Sequence, residues 1–212
     1  GSDGGSGIST YEYALGTTSG GTQVISWTSA GTATADTLTG LSLTDGSTYY
    51  LSIRGTDNAG NVSAVLTGDG ILIDLSAPHQ LGSTMNDGTG DDITYTGSDS
   101  TLSANWDSFV DTEYSQFNHG SGLQKYEYAI GTTIGGTDVV DWTDNSTNTS
   151  VTKMGLTLSI GIYYTSVRAI DNAGNVSDVI TSNGVTVDIE VPITGSVVDG
   201  IDTDIDWTNV TS

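Results

Sequence analysis

Asp199, Asp202, Asp204 and Asp206 lie close together near one end of the chain. In an extended segment Asp202, Asp204 and Asp206 share one face, and Thr203, Ile205 and Trp207 share the other. Like charges this close repel unless water or a cation stands between them, and several oxygen ligands at flexible positions suit Ca2+. Asp87, Asp91 and Asp92 form a related group, because Asp87-Gly88 and Asp92-Ile93 return as Asp199-Gly200 and Asp204-Ile205. Asp188 and Glu190 sit just ahead of the later run. The candidate metal ligands are therefore Asp87, Asp91, Asp92, Asp188, Asp199, Asp202, Asp204 and Asp206, and Ca2+ is the candidate cofactor. Their spacing is not that of an EF-hand loop. The plainer account is a solvated acidic turn, since Asp and Gly favour turns for backbone reasons.

Other chemistry lacks its residues. There is no cysteine, and no Gly-x-Ser-x-Gly elbow with a histidine downstream. His79 and His119 are expected in a linker and a loop. Carboxylates are abundant, but a glycosidase needs two of them across a cleft, and a small sandwich offers none. No glycine-rich phosphate loop with its lysine is present. No catalytic residue is assigned, and the chain is expected not to be an enzyme.

Net charge narrows the partners. The chain carries −22 with only four basic residues, Arg54, Lys125, Lys153 and Arg168. Nothing could neutralise nucleic-acid phosphates or an anionic bilayer. No apolar run is long enough to span a membrane.

The elements that must position these residues follow from a repeat. Tyr11-Glu12-Tyr13-Ala14-Leu15-Gly16-Thr17-Thr18 returns as Tyr126-Glu127-Tyr128-Ala129-Ile130-Gly131-Thr132-Thr133. Asp57-Asn58-Ala59-Gly60-Asn61-Val62-Ser63 returns unchanged as Asp171 to Ser177. Gly70 to Asp74 matches Gly184 to Asp188, and Pro78 matches Pro192. One residue is lost between Leu43 and Tyr49 in the later copy. A unit of about 115 residues is a whole domain rather than a solenoid repeat. The expected divisions are 1–76, an incomplete module; 77–190, a complete one; and 191–212, the start of a third. The incomplete unit would follow from a trimmed chain, a proteolytic fragment, or completion by another chain.

Period-2 alternation marks the strands. Leu102, Ala104 and Trp106 share one face, as do Tyr126, Tyr128 and Ile130, and Tyr163, Thr165, Val167 and Ala169. The last set is copied as Tyr49, Leu51, Ile53 and Gly55. Short alternating runs between Gly/Asn/Asp turns predict an all-β fold of antiparallel sandwiches. The duplicated Asp-Asn-Ala-Gly-Asn segment reads as a hairpin turn, because Asn and Gly accept positive φ.

On these residues the module resembles fibronectin type III and related bacterial immunoglobulin-like domains. Trp106 matches the core tryptophan that ends strand B, and Tyr126 the tyrosine of strand C. Leu43-Thr44-Asp45-Gly46-Ser47-Thr48-Tyr49 is similar to the family's Leu-x-Pro-Gly-Thr-x-Tyr corner, with Asp45 in place of proline. Segment 85–100 is longer and more acidic than the family's connection between strands A and B. By the resemblance the first unit lacks strands A and B, and Asp3 and Ser6-Gly7 match Asp111 and Ser121-Gly122. It also makes strands C and F neighbours, which predicts cross-strand pairs Glu12–Arg54 and Glu127–Arg168. Trp27 and Trp142 would cover the sandwich edge, or serve as a sugar-stacking platform. The turn between strands A and B would approach the next module's B–C and F–G turns, so Asp188, Glu190 and Asp199-type residues would converge at a junction.

The resemblance implies tandem non-catalytic modules of a large secreted or cell-surface protein, acting as stalk, spacer or filament, and the clustered aspartates add Ca2+ as a candidate stiffener of the junctions. The alternatives are a carbohydrate-binding or accessory module of a secreted enzyme, and a self-assembling fibre subunit completed by neighbouring chains. The expected partners are neighbouring modules or copies of the same chain, with surface glycans a further candidate. Asn61, Asn145, Asn148, Asn175 and Asn209 each begin a glycosylation sequon.

Overall fold

A computed structural model describes residues 3–82, 84–111 and 120–197. The described residues are all-β. The first copy contributes β1 (Ile8–Gly16), β2 (Ile25–Gly31), β3 (Thr48–Asp57), β4 (Leu66–Thr67) and β5 (Ile71–Leu72). They form one antiparallel sheet in the order β2-β1-β3-β4, with β5 also on β3.

The second copy starts with β6 (His79–Gln80), β7 (Met85–Asp87), β8 (Tyr95–Thr96), β9 (Thr101–Trp106) and β10 (Phe109–Val110). It continues with β11 (Leu123–Gly131), β12 (Val140–Asp144), β13 (Ser150–Met154), β14 (Gly161–Asp171), β15 (Ile180–Thr181) and β16 (Val185–Val187). One sheet runs β12-β11-β14-β16-β8, with β15 also on β14. A second sheet runs β13-β9-β7. His79 pairs with Val110 in the short β6–β10 ladder, so the expected linker position is part of a strand.

The alternating faces meet between the two sheets of the second copy. Leu102 from β9 packs with Tyr128, Ile130, Tyr163, Val185 and Val187 from the opposite sheet. Trp106 packs with Phe109, Tyr126, Val167 and Ala169. Trp106 and Phe109 both meet the Tyr126 ring edge-on, at 5.7 and 5.6 Å between centroids, a favoured aromatic geometry. The Tyr126 hydroxyl accepts from Phe109 N at 2.9 Å, so its polar end is satisfied inside the core.

The long acidic segment 85–100 changes sheets. β7 lies on β9, whereas β8 runs parallel to β16. Gly88, with φ of 101°, turns the chain between them. Two aspartates hold this crossing. Asp92 Oδ1 accepts from Asp87 N at 2.9 Å, and Asp92 Oδ2 accepts from Asn183 Nδ2 at 2.9 Å. Asp87 Oδ2 accepts from Gly184 N at 3.0 Å.

Candidate functional site

The junction between the two copies gathers three carboxylates. Asp74 follows β5, Asp111 follows β10, and Asp171 ends β14. One oxygen from each lies within 4.8 Å of the others. Their relative exposures of 8%, 6% and 0% leave little water to separate the charges.

Each carboxylate is held by its local backbone. Asp171 Oδ1 accepts from Asn175 N and Oδ2 from Asn175 Nδ2, both at 2.8 Å, which closes the Asp-Asn-Ala-Gly-Asn turn. Gly174 makes that turn possible with φ of 94°. Asp111 Oδ2 accepts from Gly122 N at 2.6 Å and from Ser121 Oγ at 3.4 Å. Asn172 Nδ2 reaches the carbonyls of Ser121 and Gly122, at 3.0 and 2.9 Å. The turn and the segment before β11 are thereby locked together.

Asp74 comes from the other side. Its Oδ2 accepts from Ser121 N at 2.6 Å, and its main-chain oxygen accepts from Asn175 Nδ2 at 3.1 Å. Asp45 holds the next two residues: its Oδ1 accepts from Leu75 N at 2.8 Å and its Oδ2 from Ser76 Oγ at 2.7 Å. The linker Asp74-Leu75-Ser76 is thus tied to both copies. Asp45 is the residue that replaces the corner proline, and the linker is what it binds.

One oxygen of the cluster has no donor. Asp111 Oδ1 is buried without a hydrogen-bond partner. Burial pushes the Asp111 carboxyl above its usual range, and the charges of Asp74 and Asp171 add to the rise.

The fold class is decided away from this cluster, at the tyrosine corners. Tyr163 donates its hydroxyl to Ser159 O at 3.0 Å and accepts from Ser159 N at 3.1 Å. Tyr49 accepts from Thr44 N at 3.0 Å, one residue further upstream, as the lost residue requires. With the core Trp106 and the β13-β9-β7 sheet facing β12-β11-β14-β16, this is the arrangement of a known sandwich. The fold is fibronectin type III-like.

No protein-family model matches the chain. Exoglucanase B of Cellulomonas fimi is 31% identical over 194 residues, which is 91% of this chain and 15% of that enzyme. The chain thus spans a small part of the length of the curated relative it matches. Among solved structures, the fibronectin(III)-like modules of Clostridium thermocellum CbhA align over 92% of this chain and 87% of theirs, at 13% identity and a TM-score of 0.45. The FN1–FN3 domains of chicken CNTN1 align over 84% of this chain and 56% of theirs, at 14% identity and a TM-score of 0.42.

The fibronectin type III-like frame locates the other expected residues. Asp87 and Asp92 come together at the sheet crossing, where backbone and Asn183 donors occupy three of their four oxygens. The fourth, Asp87 Oδ1, is buried without a partner. Burial raises the Asp87 carboxyl to about 6, and the neighbouring Asp92 charge contributes. Asp91 is exposed nearby. Asp188 is exposed, and its Oδ1 accepts from Glu190 N at 3.0 Å. Asp199, Asp202, Asp204 and Asp206 lie outside the described residues, as does His119. The junction cluster was not among the expected ligands, although Asp188 is the later copy of Asp74. Its signal in the sequence was repetition: Asp3/Asp111, Asp57/Asp171 and Asp74/Asp188 are aspartate in both copies.

The expected ion pairs are present. Glu12 faces Arg54 at 2.8 Å, and Glu127 faces Arg168 at 2.7 Å, each in direct cross-strand register. Lys125 joins the second pair, reaching Glu127 at 2.7 Å and Asp144 at 3.2 Å. Lys125 and Arg168 together hold the Glu127 carboxyl below its ordinary range. The same arginines cover the edge tryptophans: Arg54 lies 4.3 Å from the Trp27 ring centre and Arg168 4.3 Å from that of Trp142. Both indoles are half-buried, and each has one face filled by a guanidinium.

Proposed function

We infer that these modules are non-catalytic structural parts of a larger secreted protein, setting the spacing and orientation of the domains to either side. The observation that carries this is the linker Asp74-Leu75-Ser76. It is held by Asp45 of its own module and by Ser121 and Asn175 of the next, rather than left free. A segment tied by directed hydrogen bonds on both sides transmits orientation, which a Gly/Ser-rich tether does not. The similarity to Exoglucanase B over 91% of this chain supports a secreted polysaccharide-acting enzyme as the host, with these modules as an accessory. The guanidiniums over Trp27 and Trp142 take one face of each indole, which leaves at most one face for stacking on a sugar.

Residual dipolar couplings test the spacer role. Amides of β1–β3 and of β11–β14 should fit one common alignment tensor. Independent tensors for the two modules would overturn it. Co-sedimentation with insoluble cellulose tests the carbohydrate-binding alternative: depletion of the chain from solution, abolished by Trp142→Ala, would favour that alternative instead.

A further inference from the structure

We propose that Asp74, Asp111 and Asp171 form a Ca2+ site that clamps one module to the next. This goes beyond the spacer role and does not depend on the identity of the host protein.

Two independent observations carry it. The first is convergence: oxygens from three carboxylates, brought from the linker and from two turns of the following module, fall within 4.8 Å of one another. Ligands 2.3–2.6 Å from a common ion lie no further apart than about 5 Å, so the group fits one cation of calcium size. The second is Asp111 Oδ1. The residue is 6% exposed, and this oxygen has no hydrogen-bond partner. Its other oxygen is occupied by Gly122 N and Ser121 Oγ, so the carboxylate cannot rotate to satisfy Oδ1 without losing those bonds. A cation bound by all three carboxylates satisfies that oxygen and offsets the repulsion together.

The donor set selects the metal class. All ligands are carboxylate oxygens, with no imidazole or thiolate, which favours a hard cation over zinc. A carboxylate set drawn from a linker and two separate turns suits the adaptable coordination of Ca2+ better than the strict octahedron of Mg2+.

The repeat extends the assignment. Asp3 Oδ2 accepts from Gly7 N at 2.7 Å, as Asp111 Oδ2 does from Gly122 N. Asp57 grips Asn61 at 2.8 Å through both oxygens, as Asp171 grips Asn175. The first module therefore presents the same two-carboxylate half, without a counterpart of Asp74 among the described residues. Asp188 holds Asp74's place at the far end of the second module. Each junction would then combine one carboxylate from the module before it with two from the module after it.

Titration calorimetry and thermal unfolding of the chelator-treated 212-residue chain with CaCl2 test this. One site per chain should bind Ca2+ below millimolar concentration, and saturation should raise Tm by about 5 °C or more. Asp111→Asn and Asp74→Asn should each weaken binding about tenfold or more, while the exposed control Asp69→Asn should not. Should Asp111→Asn fail to fold, Asp74→Asn decides, because it lies in the linker outside both sheets. Absence of Ca2+ heat and of a Tm shift would overturn the site. So would unchanged binding by Asp74→Asn, or an equal response to Mg2+ or to NaCl at matched ionic strength, which would mark simple screening of the acidic surface.

Discussion

Two copies of one sequence pattern fold to the same sheet and reach different degrees of burial. β1 pairs β3 and β11 pairs β14 in the same register, with the same break near the start of each ladder. Both tyrosine corners form, and both Glu–Arg–Trp stacks form. Yet Leu51 and Ile53 are 43% and 42% exposed, whereas their counterparts Thr165 and Val167 are 3% and 0% exposed. The difference is the sheet β13-β9-β7, which covers the second copy. Strand pairing and corner bonds are local enough to form without a covering layer. Burial of the apolar face is not, because it needs a partner brought from elsewhere in the chain.

The largest effect that could break this comparison lies in the core. Trp106→Ala should cost about 3–5 kcal/mol, the range for emptying a large aromatic site. Ile53→Ala, on the uncovered face, should cost under about 1 kcal/mol. Urea unfolding followed by near-ultraviolet circular dichroism measures both. Equal costs would mean that the first copy is covered in solution.

Asp87 gives the next largest effect, and it belongs to the covered copy alone among the described residues. Its folded-state value of about 6 stands above the unfolded 3.8. The folded state therefore binds the proton more tightly. The stability it contributes is complete below about pH 4 and is lost as pH rises through about 6, on the order of 3 kcal/mol in all. Asp87→Asn keeps an acceptor for Gly184 N and removes the charge. Its stability relative to wild type should therefore rise across that window, read from chemical unfolding at a series of pH values. A flat difference would place Asp87 in a better-solvated setting.

The tyrosine corners should respond more evenly. Tyr163→Phe removes both a donated and an accepted bond and should cost about 1–2 kcal/mol, and Tyr49→Phe about 1 kcal/mol. A much smaller loss at Tyr49 would show that the corner needs the covering sheet. The smallest effect is expected at the ion pairs. A double-mutant cycle on Glu127 and Arg168 should return under about 1 kcal/mol of coupling, and Glu12 with Arg54 less, since no lysine joins that pair. Coupling at either pair should shrink in high salt.

Much of the fold was legible from residue order. Alternation at Leu102, Ala104 and Trp106 marked a buried face, and the matching Tyr-Glu-Tyr and Asp-Asn-Ala-Gly-Asn segments marked paired elements. The offset of Glu12 from Arg54 was readable once strands C and F were taken as neighbours. The crossing of segment 85–100 between sheets was not legible, because a strand's partner is not encoded in its own alternation.

What the sequence determined by itself was the repeat, the period-2 faces and the residues that make turns. These depend on backbone preference and on neighbours along the chain. What only the tertiary structure decided was which aspartates meet. The acidic runs drew attention because their charges are close in sequence. Asp74, Asp111 and Asp171 are far apart in sequence, and they converge because a linker tied at Asp45 is laid across two turns of the following module. The same holds for Asp87: nothing in its neighbours announces that it will be fully buried, and burial, with the Asp92 charge beside it, sets its chemistry.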